Sequence, residues 1–142
     1  MITSRRAMGD KGSASLELVL LTPAIVLLLL LVVMGGRYAQ ARADVDAAAR
    51  GAARAGSIAR GSDSAASGGE AAARSRLHEG GVTCRTLTVD MDTSEFRAGG
   101  SVTATVTCDV DLGDLTGLKL PASRSFTASF TEPVDVYRGT QT

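Results

Sequence analysis

The pattern of apolar and polar residues divides the chain into a long apolar segment, an alanine- and arginine-rich segment, and an alternating C-terminal half. From Leu16 to Met34, sixteen of nineteen residues are apolar. As a helix this run would be about 28 Å long, which is close to the roughly 30 Å hydrocarbon core of a bilayer. The pattern predicts one membrane span over about residues 16–34. Pro23 predicts a helix kink within it, because proline lacks the backbone N–H.

A helical pattern continues beyond the apolar run. Four charged residues recur at a spacing of four: Arg42, Asp46, Arg50 and Arg54. This spacing lines one helix face and predicts that Asp46 pairs with both arginine neighbours. A second face is almost entirely alanine, which favours close helix–helix approach. We therefore expect one extended helix over residues 13–56; a juxtamembrane stalk without contacts is the alternative.

Residues 57–69 are rich in glycine and serine and predict a linker. Residues 70–138 then predict one small domain, followed by a tail at 139–142. Its first element is a short helix over Glu70–Glu79, which ends at a glycine pair.

The remainder of that domain has the pattern of β-strands. Ser101–Leu112 alternates between apolar and polar residues, which is typical of a half-buried strand. Thr83–Met91 predicts a second strand with a bulge near Arg85 and Thr86, where the apolar parity switches. Arg124–Thr131 predicts a third. The expected fold class is α+β. A long transmembrane helix is extended by the Ala/Arg-rich helix, then followed by a short helix and a small three-stranded antiparallel sheet.

The charge distribution indicates how the chain is oriented. It has 15 basic and 15 acidic residues, so no net charge attracts nucleic acid. Residues 1–12 form a short basic leader, and basic segments flanking a span remain in the cytoplasm. We expect a single-pass protein of the cell membrane, with a cytoplasmic N-terminus and an extracytoplasmic domain.

The two cysteines, Cys84 and Cys108, both lie in the predicted extracytoplasmic domain. In an exported domain a disulfide between them is expected, whereas in the cytosol they would be two buried thiols. A hairpin joining their strands would turn near Phe96, which is compatible with the pairing. Two cysteines and one histidine cannot form the usual four-ligand zinc site, and no cofactor is expected.

The known motifs of enzymes and of calcium loops are missing from the sequence. Asp90–Ser94 resembles the start of a calcium loop, but Glu95 and Ser101 stand where such a loop needs Gly and Glu. Asp109 and Asp111 fall on the solvent face of a strand without a catalytic partner. There is no P-loop and no nucleophile elbow. We therefore expect no enzymatic activity.

The junction before the apolar run, Gly12-Ser13-Ala14-Ser15-Leu16-Glu17, resembles the type IV prepilin processing site. The resemblance implies cleavage between Gly12 and Ser13 by a prepilin peptidase, which makes Glu17 the fifth mature residue. The new amine at Ser13 would be positive at neutral pH. It would pair with Glu17 of a neighbouring subunit, offsetting the cost of a buried carboxylate and setting subunit register. Many type IV pilins carry Phe where Ser13 stands.

The wider segment from about residue 10 to residue 60 resembles the TadE-like family of the tight-adherence (Flp pilus) apparatus. The shared layout is the glycine–acid junction, Pro23, the apolar run and the Ala/Arg-rich helix after it. The cysteine in each of two strands and residues 132–138 are similar to actinobacterial members. The resemblance implies a minor pseudopilin held by membrane lipid. Its implied partners are a prepilin peptidase, other pilin subunits, and indirectly the assembly platform and secretion ATPase.

Two alternatives differ in how the N-terminus is processed. Ala39-Gln40-Ala41 matches a signal-peptidase site, and cleavage there would release residues 42–142 as a secreted protein. The chain could also remain uncut, as a single-pass anchor with a small extracytoplasmic binding domain.

Overall fold

The structure, a computed structural model, describes residues 11–111, 113 and 123–137. Most of the predicted leader, most of the loop after Leu112 and the predicted tail lie outside the described residues. The elements in chain order are helices α1 (Lys11–Ser57) and α2 (Ser62–Glu79), and strands β1 (Cys84–Asp92), β2 (Ser101–Asp111) and β3 (Ser123–Pro133). The predicted α+β fold is confirmed.

The chain divides into two compact units, Met1–Gly36 and Arg37–Thr142. In the first unit, every side chain described from Leu18 to Met34 is exposed. Pro23 lies inside α1 and the helix continues through it, so the kink expected there stays a prediction. In the described part of the chain, one helix is long and apolar enough to cross a membrane, and it is α1.

In the second unit, α1 packs through small side chains. Its buried apolar residues are five alanines and one valine: Ala41, Val45, Ala48, Ala49, Ala52 and Ala53. They belong to one core with Ala73 and Leu77 of α2 and with apolar residues of the strands. The predicted alanine face is therefore an intrachain packing surface, and the contact-free stalk alternative is wrong.

The predicted linker over residues 57–69 is largely wrong, because α2 begins at Ser62 rather than at Glu70. The buried residues of α2 recur at every fourth position: Ala65, Gly69, Ala73 and Leu77. The three small residues among them, Ala65, Gly69 and Ala73, let α2 pack closely. A Cβ atom at Gly69 would lie 3.2 Å from the Ala52 carbonyl oxygen. Core packing thus outweighs the low helix propensity of glycine and serine.

The sheet is an antiparallel meander in the order β1-β2-β3. Along β2, every second residue is buried: Val102, Ala104, Val106, Cys108 and Val110. The helices cover this inner face, joined from β3 by Phe126 and Ala128. The opposite, outer face is polar.

The predicted bulge and disulfide are both present. The register of β1 shifts between Cys84 and Thr86, so that Leu87, and not Cys84, lies opposite Cys108. The shift brings Cys84 onto the same face as Leu87. The disulfide joins Cys84 to Cys108 across a Cα–Cα distance of 5.3 Å. The bulge therefore explains why the apolar positions of β1 change parity, and it places Cys84 on the inner face of the sheet, where it bonds to Cys108.

Replacing both cysteines with alanine should lower the free energy of unfolding by about 2–4 kcal/mol, because the bond restricts the unfolded chain. The measurement is urea unfolding of the full chain in detergent micelles, followed by circular dichroism. Dithiothreitol should shift wild type towards the double variant and leave that variant unchanged. Equal unfolding midpoints for wild type and the variant would contradict the expectation.

A larger side chain in the alanine face of α1 should also destabilise the fold. Ala52 is fully buried, so Ala52→Leu should cost about 1–3 kcal/mol through overpacking. Ala43→Leu is the matched control, since Ala43 is exposed on the same helix and leucine is nearly as good a helix former as alanine. Urea unfolding should separate the two variants; equal stability would contradict the packing described.

Candidate assembly surface

The predicted processing and assembly residues all lie on α1. Gly12 and Ser13 are in its first turn, Glu17 follows one turn later, and Pro23 comes within the apolar segment. Their arrangement along one helix is described by the backbone, and their functional roles remain predictions. The disulfide cysteines lie in the second compact unit, on β1 and β2.

The apolar part of α1 forms a large exposed surface. Its leucine and valine side chains are about half to two-thirds exposed, for example 68% at Leu18 and 55% at Val33. An apolar surface of this extent marks contact with lipid or with other proteins. It therefore needs a bilayer or other apolar helices as its surroundings.

The outer surface of α1 in the second unit carries the arginine stripe: Arg42, Arg50 and Arg54. All three are exposed. The predicted ion pairs of Asp46 are wrong: the described residues form ion pairs at Glu70–Arg74, Arg76–Glu79 and Glu95–Arg97. An exposed pair gains little Coulomb energy and costs side-chain entropy, and the aspartate side chain is short. The stripe therefore keeps its positive charge.

The outer face of the sheet carries a ladder of hydroxyl groups. The side-chain oxygens of Thr103 and Thr131 are 2.8 Å apart, those of Thr105 and Ser129 3.0 Å, and those of Thr107 and Thr127 3.1 Å. Sequence alternation predicts the polar face, but not this ladder, because the strand register is needed to pair the hydroxyls. Cross-strand pairs of this kind stabilise a sheet.

Four aspartates also belong to the outer face: Asp90, Asp92, Asp109 and Asp111. Asp109 accepts a hydrogen bond from the Ser125 hydroxyl. Hydrogen bonds from the side chain and the backbone N–H of Ser94 lower the pKa of Asp92, which keeps that carboxylate ionised. We call these four residues with the hydroxyl ladder the acidic face.

Among the described residues, few groups are arranged as a metal site or a catalytic site would need them. No group of three or more His, Cys, Asp or Glu among them could hold a metal ion. An open groove of about 490 Å³ lies beside Arg37, Gln40 and Asp44, and neither a thiol nor a hydroxyl–histidine pair lines it. His78 is exposed near the end of α2. The surfaces of the molecule, more than any cavity, are therefore its candidate functional features.

A family model, TadE: TadE-like protein, matches residues 12–54. The match begins at the predicted processing glycine, includes the apolar run and ends in the arginine stripe; it covers less than a third of the chain. Comparison with curated proteins found no match, and comparison with solved structures found none either. The match confirms the predicted resemblance: residues 12–54 are similar to the TadE-like family.

Proposed function

We propose that the protein is a minor pseudopilin of a tight-adherence (Flp-type) pilus or secretion system, cleaved after Gly12 and assembled through α1. The observation that carries the proposal is the TadE-like match over residues 12–54, which spans the glycine–acid junction and most of α1. TadE-like proteins are structural components, and the proposal accordingly assigns no catalytic role.

The chemistry of the junction explains why an acid stands at the head of an apolar helix. Cleavage by a prepilin peptidase leaves a positively charged amine on Ser13, four residues before Glu17. In an assembly of parallel helices, this amine of one subunit reaches Glu17 of the next. The pair offsets the cost of a carboxylate in an apolar environment and is satisfied in one axial register.

The exposed apolar surface of α1 fits two successive surroundings of this helix, first lipid and then other helices. Before assembly, membrane lipid surrounds residues 18–34, whose side chains are not covered by any of the residues that the structure describes. During assembly, the α1 helices of other pilin subunits replace the lipid, and the platform and secretion ATPase act indirectly. The basic leader favours a cytoplasmic N-terminus, and the disulfide suits an extracytoplasmic compartment.

A second candidate is an uncut membrane anchor whose extracytoplasmic unit binds another molecule. The acidic face favours it, since no element in the described part of the chain packs over that surface. Release by a signal peptidase is less compatible with the fold. Cleavage after Ala41 would cut within α1 at a residue that is 2% exposed and part of the core.

Two substitutions separate the steps of the proposal. Gly12→Leu should leave the leader attached, so that the protein migrates more slowly in gels and is missing from pili. Glu17→Gln should be cleaved normally but reach the pilus fraction at least about tenfold less, the effect of roughly 1.4 kcal/mol. Both are measured by immunoblotting of membrane and sheared-pilus fractions.

Gly35→Leu is the matched control, because a side chain at Gly35 would meet nothing within 4 Å and the position is remote from the junction. It should be processed like wild type. Unchanged processing in Gly12→Leu would contradict the proposed cleavage, and normal incorporation of Glu17→Gln would contradict the register pair.

A further inference from the structure

The second compact unit carries opposite charges on its two outer surfaces. The arginine stripe on α1 has three exposed positive side chains, none in an ion pair among the described residues. The acidic face has four carboxylates. One further residue of this side is basic: Arg85 is exposed at the bulge of β1, next to Thr86, and reduces the net charge of the face to about −3. The other positions bear hydroxyl groups: Thr86, Thr88, Thr103, Thr105, Thr107, Ser125, Thr127, Ser129 and Thr131.

Two of the three arginines are remote from the acidic face of their own chain. The alanine face of α1 packs on the inner face of the sheet, and the acidic face is the other side of that sheet. Arg50 is exposed, and Arg54 lines a groove with residues of α2, so the helices and the core separate both from the carboxylates. Arg42, at the other end of the stripe, lines a groove with Ser125 and Thr127 of β3.

The charges are spaced alike along the two surfaces. Measured along the helix axis, the rise is about 6 Å from Arg54 to Arg50 and about 12 Å from Arg50 to Arg42. The register pairs Asp92 with Thr103 and Asp90 with Thr105. With the rise of a strand, Asp92 and Asp90 are about 7 Å apart, and Asp109 lies about 14 Å further on.

Both sets of charges also run in the same direction. Near Arg54, a Cβ atom on Gly56 would lie 3.0 Å from Val102, the neighbour of Thr103 and so level with Asp92. At the other end of the stripe, the Tyr38 ring contacts the Phe126 ring at 5.1 Å. Phe126 pairs with Cys108, next to Asp109. A second copy in parallel orientation thus presents each arginine at the level of a carboxylate.

We propose that the arginine stripe of one copy docks on the acidic face of a second, parallel copy. The contact joins two different surfaces, so one copy keeps its acidic face free, the other keeps its arginine stripe free, and the arrangement can propagate. Exposed ion pairs are individually weak and screened by salt. The contact therefore orders copies already concentrated in one membrane. It depends on the extramembrane unit and not on cleavage at Gly12.

The test is chemical crosslinking between two differently tagged full-length copies in the same membrane. One copy carries Ala43→Cys beside the stripe and the other Thr88→Cys on the acidic face; both positions are exposed. The native cysteines are in a disulfide, so a bismaleimide reacts with the introduced thiols. The expected product joins the two different tags. Products joining two identical tags in preference, or either copy only to another protein, would overturn the proposal.

Charge exchange then tests the pairing itself. Arg50→Glu in both copies, or Asp90→Arg in both copies, should reduce the mixed product at least about threefold, and the two changes together should restore it. Raising sodium chloride from about 50 to 500 mM should also reduce it, since the Debye length shortens. Arg74→Glu, on α2, is the matched control and should change nothing. Failure of the double variant to restore the product would overturn the proposal.

Processing at Gly12, read from the same samples, separates this inference from the proposed function. A mixed product in uncleaved protein supports the contact while refuting the pseudopilin assignment. Cleaved protein that enters pili without a mixed product refutes the contact alone.

Discussion

The rest of the structure depends on one contact, in which the alanine face of α1 packs closely against α2 and the sheet. α1 is the element that the apolar segment and the second compact unit share. Because its buried residues there are nearly all alanine, α2 approaches closely: a Cβ atom at position 69 would lie 3.2 Å from the Ala52 carbonyl oxygen and closer still to the Met91 methyl group. The alanine face buries little apolar area for each residue. A small domain with such a core has a marginal stability, and the disulfide between β1 and β2 compensates for it.

The sequence predicts the features of this fold that depend on local periodicity. Strict alternation in β2 predicts the buried and exposed faces of the sheet, and the parity switch around Arg85 predicts the bulge. The start of α2 is not predictable in this way, because the close contacts at Gly69, with Met91 of β1 and Ala52 of α1, exist only in the folded chain. The Asp46 pairs were expected from spacing alone, but spacing does not include the entropy that an exposed pair costs.

The candidate site likewise has a part that the sequence predicts and a part that it does not. Gly12, Glu17 and the apolar run are recognisable as a linear motif, and the TadE-like match covers the same residues. The acidic face is assembled from three strands, and its opposition to the arginine stripe depends on how the layers stack. Properties of this kind become visible only when the register and packing are known. The proposed cleavage therefore rests on a linear motif, whereas the proposed contact between copies rests on two surfaces that only the fold creates.

The central claim is that α1 is an assembly helix released from a leader, and the mature N-terminus tests it most directly. The measurement is N-terminal sequencing, with intact mass, of the protein isolated from membranes of cells that express the pilus system. The account predicts Ser13 as the first residue. Met1 would indicate an uncut anchor and Arg42 a secreted protein, and either result would contradict the account.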